Sequence, residues 1–421
     1  MAYGQMIDTL KQRDLIAALV VDQKILLWEL SLNAATVEQS PGRKKQMPKK
    51  KTTTGNSSVL DRLKNRFPGK IFSAGEYTQP WMLRRLPTGI IDLDIALNGG
   101  LPAGGPTFFV GKEGTGKNWL ANQVMARQQQ IFGDDCKLAV VSTEMVYDKD
   151  FGRKCGLIIP FSDAEIDAEN RKLDSYGLPQ LTDEDVEALQ TSVGEFVMAP
   201  PQVAEDALEM AAELFASREF NVVVLDSFGS LLTEHDQETD LMDSARVGGA
   251  ALLNTRFFRK MTSHMGVDET GEPNMTCFIG MNQARANMNR ANKYSPELSE
   301  SGGFALRHAR WVSVFLKSSP PKDGCKEVRW KITKQKAGGF EGAEGSYEYE
   351  LARCGINYPA HVLEMGVRHN VVSKGGAWFN YGEHKWQGLS AASKVLRADK
   401  ELLEEIRDKT IAAAGIRCNY K

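Results

Sequence analysis

Residues 111–118 read Gly-Lys-Glu-Gly-Thr-Gly-Lys-Asn, a spacing suited to holding a polyphosphate. Gly111, Gly114 and Gly116 let the backbone curl, so that the N–H groups of Lys112, Glu113, Thr115 and their neighbours face phosphate oxygens. A helix opening at Lys117, Asn118 and Trp119 would add the positive end of its dipole. Lys117 would reach the terminal phosphates of a nucleotide such as ATP. The pattern is G-x-x-x-x-G-K, but Asn118 stands where a Ser or Thr hydroxyl normally holds Mg²⁺. A carboxamide oxygen also ligates hard cations, on a longer and differently aimed stem. Two outcomes are open: Mg²⁺–ATP bound with altered hydrolysis, or bound with little turnover.

Other acids fall where such a loop needs them. The apolar run Val222–Leu225 ends in Asp226-Ser227, about 110 residues after the loop, a Walker B arrangement that places a carboxylate by the metal's water shell. A second apolar run, Leu138–Ser142, leads to Glu144, which would emerge at the same edge and orient an attacking water. Asp148 and Phe151 could hydrogen-bond and stack on an adenine, although Phe151 serves equally well as a core residue.

These residues require a scaffold of strands ending at one edge. Short apolar runs at 107–110, 138–142, 222–225, 276–281, 312–316 and 328–333 read as buried strands, the first of them separated by amphipathic helices at 119–130 and 204–216. Strand–helix alternation implies β-α-β crossovers and an α/β fold with a mostly parallel twisted sheet. Residues 163–190 hold nine acidic and two basic residues and read as a helical or looped surface insertion. Residues 1–55 look like an extension with a flexible, basic end; residues 41–70 carry ten Lys or Arg and one Asp, either a solvated tether or an arm along nucleic-acid phosphates. The stretch from Gln283 to Gly302 is polar and basic without apolar period, a loop long enough to be functional. In it Arg285, Arg290 and Lys293 suit phosphates, while Met288 or Tyr294 could wedge or stack between bases.

The formal net charge of −2 argues against binding nucleic acid through global positive charge, but it sums unlike parts. The six cysteines are scattered without a C-x-x-C pair, which makes a zinc site or disulfide framework unexpected and a reducing cytoplasm the expected location. No apolar run is long enough to cross a bilayer, and the N-terminus lacks a secretion signal, so no membrane partner is expected.

Several segments together resemble the RecA family of recombinases, including its phage UvsX-type members. Leu86-Pro-Thr-Gly-Ile-Ile-Asp looks like the approach to that family's phosphate loop, Val222–Leu231 like its Walker B strand, and Ile279-Gly-Met-Asn-Gln283 like the strand carrying its switch glutamine. Gly302-Gly303-Phe-Ala-Leu is similar to the close of its second DNA-binding loop. Lys334-Gln-Lys336 resembles a lysine pair that reaches an ATP held by the neighbouring subunit, and Gly376-Ala-Trp-Phe-Asn-Tyr resembles part of its small C-terminal domain. Asn118, the acidic insertion and the extra N-terminus depart from the family pattern.

The resemblance implies four regions: the extension at 1–55, a polymerisation helix and strand at 56–85, an ATPase core at 86–345, and a C-terminal α+β domain at 346–421. It further implies single-stranded and homologous duplex DNA as partners and a head-to-tail helical filament. DNA would be contacted by Arg246 and Val247, by Arg256 and Arg259 on the following helix, and by the 283–303 loop. Lys334 and Lys336 would act across the subunit interface, with Arg307 and His308 beside them. The rivals are a replicative helicase of the same fold, which would form closed rings, and an ATP-gated filament with little hydrolysis.

Overall fold

The computed structural model describes residues 58–67, 71, 84–144, 147–235, 249–265, 272–286, 298–300 and 303–416. Arg246, Val247, Met288, Arg290, Lys293 and Gly302, the N-terminal extension and most of the 68–83 segment lie outside the described residues.

The described chain falls into two compact units. The smaller contains α1 (Val59–Arg66) and the acidic segment. In α1, Ser58 and Asp61 form a capping box, and none of the helix residues is buried.

In the larger unit, β1 (Arg85–Leu86) is followed by α2 (Ile91–Ala96), β2 (Leu101–Pro102), β3 (Pro106–Gly111) and α3 (Lys117–Phe132). Next come β4 (Lys137–Ser142) and α4 (Lys149–Lys154). The acidic segment then forms two helices of the smaller unit, α5 (Asp163–Ser175) and α6 (Asp183–Gln190). Ser162 with Glu165 and Thr182 with Asp185 close a capping box on each, and Ile166 and Leu189 pack with Phe161, Leu181 and Val186 into a small core of their own. The sequence left helix and loop open here; the two capping boxes fix helix.

The larger unit resumes with β5 (Glu195–Ala199), α7 (Ala204–Ser217), β6 (Val222–Asp226), α8 (Gly249–His264), β7 (Cys277–Ala286), β8 (Leu298–Glu300) and α9 (Gly303–Ala309). Then follow β9 (Val312–Ser318), β10 (Cys325–Gln335), β11 (Glu344–Glu350) and β12 (Gly355–Ile356). The chain ends in α10 (Tyr358–Arg368), β13 (Ser373–Gly375), β14 (Trp378–Tyr381), β15 (His384–Gln387), α11 (Leu389–Ala398) and α12 (Lys400–Ala413).

One large sheet runs in the order β12-β11-β10-β9-β3-β7-β6-β4-β5, with β8 paired to β7. The strands from β9 to β5 are mutually parallel, whereas β10, β11 and β12 continue the sheet antiparallel. Parallel strands must be covered on both faces. Accordingly Phe108, Val110, Val223, Leu225 and Phe278 are buried and pack with Ala207, Ala211 and Phe215 of α7 and Phe257, Phe258 and Met261 of α8. The six expected strands are present. β5 was not anticipated: it is an edge strand whose residues are half-buried or exposed, so it lacks the apolar run of its neighbours.

β7 corrects a second expectation. Gln283 does not end this strand, because the backbone continues to Ala286 and pairs antiparallel with Leu298–Glu300. Asn282 and Ala284 are buried, so polar and small residues here sit in a sheet and not in a loop. Part of the expected loop is therefore paired strand.

The C-terminal part carries its own core, in which Val362, Leu363, Phe379, Trp386, Leu396, Leu403 and Ile406 surround Ile91 of α2. Its antiparallel sheet β13-β14-β15 and three helices make the expected α+β architecture. No helix among the described residues is long and apolar enough to cross a membrane.

Candidate nucleotide site and nucleic-acid interface

The parallel register brings the chemistry to one edge. Gly111, the last residue of β3, lies opposite Gln283 of β7, and Asp226 of β6 lies opposite Ser142 of β4. Beyond these strand ends the loop 112–116 turns into α3. Gly114 (φ +69°) and Gly116 (φ +94°) adopt backbone that side chains resist, and a Cβ on Gly111 would lie 2.6 Å from the Leu316 carbonyl. The Thr115 hydroxyl donates to the Lys112 carbonyl (2.8 Å) and closes the turn.

Lys117 is buried, and its ammonium donates to the carbonyls of Gly111 (3.2 Å) and Lys112 (2.9 Å). Burial lowers its pKa, while Asp226, Glu144 and Glu113 oppose that shift. Lys112 and Glu113 are exposed. The first N–H groups of α3 have no acceptor within the helix, so Lys117, Asn118 and Trp119 offer backbone donors there. Trp119 can serve only in that way: its indole is 2% exposed, packed 5.3 Å from the ring of Tyr347 and edge-on to Tyr349.

Asn118 Nδ2 donates to Asp226 Oδ2 at 2.8 Å. The discordant residue therefore touches the Walker B carboxylate directly. Burial and then repulsion from Glu144 raise the Asp226 pKa to about 6, against the hydrogen bond from Asn118 and the charge of Lys117. A carboxylate and a carboxamide oxygen are donors that suit Mg²⁺, but Asn118 turns its Nδ2 towards Asp226, so it would have to turn its oxygen over to join such a site.

Glu144 is held by partners just past β6 and on the neighbouring strand β7. Its Oε1 accepts from the Ser227 hydroxyl and from Gln283 Nε2 (3.0 Å). Ser227 is 1% exposed, which makes it a support for Glu144 and not an open contact. Its N–H donates to the Thr143 hydroxyl (3.0 Å), which also lies 2.7 Å from that of Ser230. The sequence reading missed Thr143 and Ser230; Thr143 directly precedes Glu144, whereas Ser230, four residues past Asp226, carries no local signal. Asp148 caps α4, its carboxylate accepting from the Phe151 N–H (2.9 Å), and Phe151 is half-buried.

On the nucleic-acid side, Arg256 and Arg259 are exposed on α8, whose Phe257 and Phe258 face the core. Arg285 is exposed, with Nη2 donating to the Gly229 carbonyl at 3.3 Å. Gly303 opens α9. At the other end of that helix, Lys334 donates to the carbonyls of Arg307 and His308, and Lys336 donates to that of His308 at 3.0 Å. A register shift in β10 between Ile332 and Lys334 re-aims the strand just before the pair. Burial, then the like charge of Lys336, lowers the Lys334 pKa to about 8.

A phosphate loop between a parallel strand and a helix, with two acids and a glutamine at the same sheet edge, defines a P-loop nucleotide-binding protein of the α/β class. Comparison with known proteins narrows this. The RecA N-terminal domain model matches residues 179–337, and the RecA C-terminal domain model matches residues 360–415. "Protein RecA" of Acidothermus cellulolyticus is 30% identical over 342 residues, 79% of this chain and 84% of the relative. The proteins of the same name from Frankia alni (30% over 356 residues, 83% and 88%) and Chlamydia abortus (28% over 352 residues, 82% and 87%) are similar over comparable spans. The chain belongs to the RecA family. Stretches of that length in a 421-residue chain necessarily include the phosphate loop, although the N-terminal model match begins after it.

Proposed function

We propose that the chain is an ATP-dependent recombinase that assembles as a head-to-tail helical filament on single-stranded DNA and pairs it with a homologous duplex. Family membership supports the coarse assignment, a recombinase-type protein that binds nucleotide. The observation that carries the finer reading is the hydrogen bond from Gln283 to Glu144 (3.0 Å), because Gln283 stands on the strand that continues into the β7–β8 hairpin. One residue thus joins the nucleotide edge to the segment expected to touch DNA.

In this mechanism the N–H groups of residues 112–119 cradle the phosphates and Lys117 turns from the loop carbonyls to them. Asn118, with its carboxamide turned, and Asp226 would hold Mg²⁺, which would supply positive charge to the phosphates. Glu144, fixed by Ser227, orients the attacking water by accepting its hydrogen bond. Lys334 and Lys336 reach the ATP of the adjacent subunit, as an arginine finger does. DNA lies against Arg285, Arg256, Arg259 and Gly303 and, outside the described residues, against Arg246, Val247, Met288, Arg290, Lys293 and Gly302. Val59, Leu60, Leu63 and Phe67 at α1 are exposed, an apolar stripe suited to a neighbouring copy. Such a contact is heterologous and propagates without closing.

The Asn118–Asp226 hydrogen bond favours a second reading, a filament that binds ATP and turns it over slowly. Phosphate release with and without single-stranded DNA separates the two, repeated with Asn118→Thr; electron microscopy of the same samples reports filaments or rings. DNA-stimulated release and helical filaments are expected. Closed rings would favour a helicase, and no release by either protein would remove the enzyme assignment.

A further inference from the structure

The loop that would cradle phosphate is held from outside by a residue with no place in the motif. Lys326, near the start of β10, donates from Nζ to the Gly114 carbonyl at 2.7 Å. Its position is built into the sheet: Lys326 pairs in register with Tyr349 on β11, and its ammonium lies 5.0 Å from that ring's centroid. Tyr349 meets Trp119 of α3 edge-on at 5.4 Å, and Trp119 packs against Tyr347, two residues along β11. The antiparallel arm of the sheet therefore grips both the first turn of α3 and the loop before it. Lys326 is half-buried, so its stem is guided by the tyrosine face and is not a freely waving surface lysine.

What this grip does follows from peptide geometry. In a trans peptide the carbonyl of one residue and the N–H of the next point in opposite directions. Fixing the Gly114 oxygen towards β10 therefore fixes the Thr115 N–H away from it. That N–H has no acceptor among the described residues, and Gly114 itself has no side-chain packing to set its plane: a Cβ built there would meet nothing within 4 Å. Glycine with φ +69° rotates readily, so an outside hydrogen bond is what distinguishes one orientation of this plane from others.

We propose that Lys326 is a positioning residue of the nucleotide site, pinning the Gly114–Thr115 peptide so that the Thr115 N–H is presented to a nucleotide phosphate. The proposal rests on the nucleotide-site reading above and adds to it a residue outside the loop. A charge-assisted hydrogen bond that pre-organises one phosphate donor corresponds to about fivefold to tenfold in affinity.

The test is Mg²⁺–ATP binding by calorimetry on the full chain, with thermal melting in parallel, for wild type, Lys326→Met, Lys326→Gln and Lys326→Arg. Met keeps a stem over Tyr349 and removes the donor; Gln shortens the reach; Arg restores a charged donor. A fivefold to tenfold rise in Kd is expected for Met and Gln, with melting temperature unchanged and affinity within about twofold of wild type for Arg. Unchanged Kd in Met and Gln overturns the proposal, as does an equal rise in all three variants or a fall in melting temperature without a change in Kd. If wild type itself binds no nucleotide, the site reading fails first, and that result is distinct from tight binding by all four proteins.

Discussion

The lysine pair at the end of β10 offers the sharpest test of action between subunits. The Lys334 pKa lies near 8 because its ammonium is partly buried beside Lys336 and Arg310, against which the charge of Glu341 acts. A lysine with that value is about nine-tenths charged at pH 7, half charged at pH 8 and one-tenth charged at pH 9. If its charge is needed to engage the neighbour's ATP, DNA-dependent kcat/KM falls about tenfold between pH 7 and pH 9, with its midpoint near 8. kcat itself should hold to higher pH, because a phosphate already in contact with Lys334 favours the charged form. The pKa of the unengaged lysine appears in kcat/KM and that of the engaged one in kcat, so the two profiles separate.

Three variants decide the matter in a steady-state phosphate-release assay, each profile normalised to its own value at pH 7. Lys334→Arg carries a charge that is never lost in this range, so the limb near pH 8 disappears even if the fork geometry lowers activity overall. Lys336→Met removes the like charge that depresses its neighbour, so any remaining limb moves to higher pH. Lys334→Met is low throughout and flat above neutrality. An unaltered limb in Lys334→Arg would refute the assignment of that titration to Lys334 and leave its role across the interface without support.

Glu144→Gln should keep nucleotide binding while slowing phosphate release by about two orders of magnitude or more, measured by calorimetry and single-turnover release. Because Glu144 helps raise the Asp226 pKa to about 6, metal-dependent ATP binding should be lost as pH falls through that value, and the loss should move to lower pH in Glu144→Gln. Complete burial raises Asp94 to about 7, so the folded state holds a proton that the unfolded chain releases near pH 4; stability is present below that and is lost as pH rises through 7, by at most about 4 kcal/mol, and urea melts of Asp94→Asn should lack that fall. Gly280→Ala would set a Cβ 2.8 Å from Phe108 and from Phe228 under the Walker B strand, an overpacking that should cost about 1–3 kcal/mol in the same assay.

The parts legible in the sequence were those fixed by local physics. The phosphate loop follows from glycine spacing, and the central strands follow from apolar runs such as Val222–Leu225, since a strand covered on both faces has little freedom in composition. β5 escaped because an edge strand needs only one covered face, and Glu195-Phe-Val-Met-Ala resembles a surface segment. The extension of β7 past Gln283 escaped for a related reason: Asn282 is fully buried beside the glycine loop, where polarity and burial coexist. Lys326 had no local signal at all, since its role depends on Tyr349 across the sheet and on a carbonyl 212 residues away in sequence. Contacts set by tertiary register cannot be read from the composition of either segment alone.

That same register constrains how ATP and DNA would communicate. Glu144 meets Gln283; β7 carries Gln283 into the hairpin with β8; α9 begins three residues after β8 and ends on the carbonyls that Lys334 and Lys336 hold. The expected DNA-contacting segment thus lies between a group that faces the protomer's own nucleotide and a pair that would face its neighbour's. Lys334 donates to two carbonyls at the end of α9 and Lys336 to one, so each ammonium keeps an N–H for a neighbour's phosphate while still holding that helix end. A shift at that helix end and a shift at Gln283 would act on the same intervening chain. Coupling is reciprocal in free energy, so if the nucleotide contacts favour the arrangement of that chain that holds DNA, DNA would strengthen those contacts in return. A protein with net charge −2 could then depend on assembly with ATP, more than on bulk positive charge, to hold DNA.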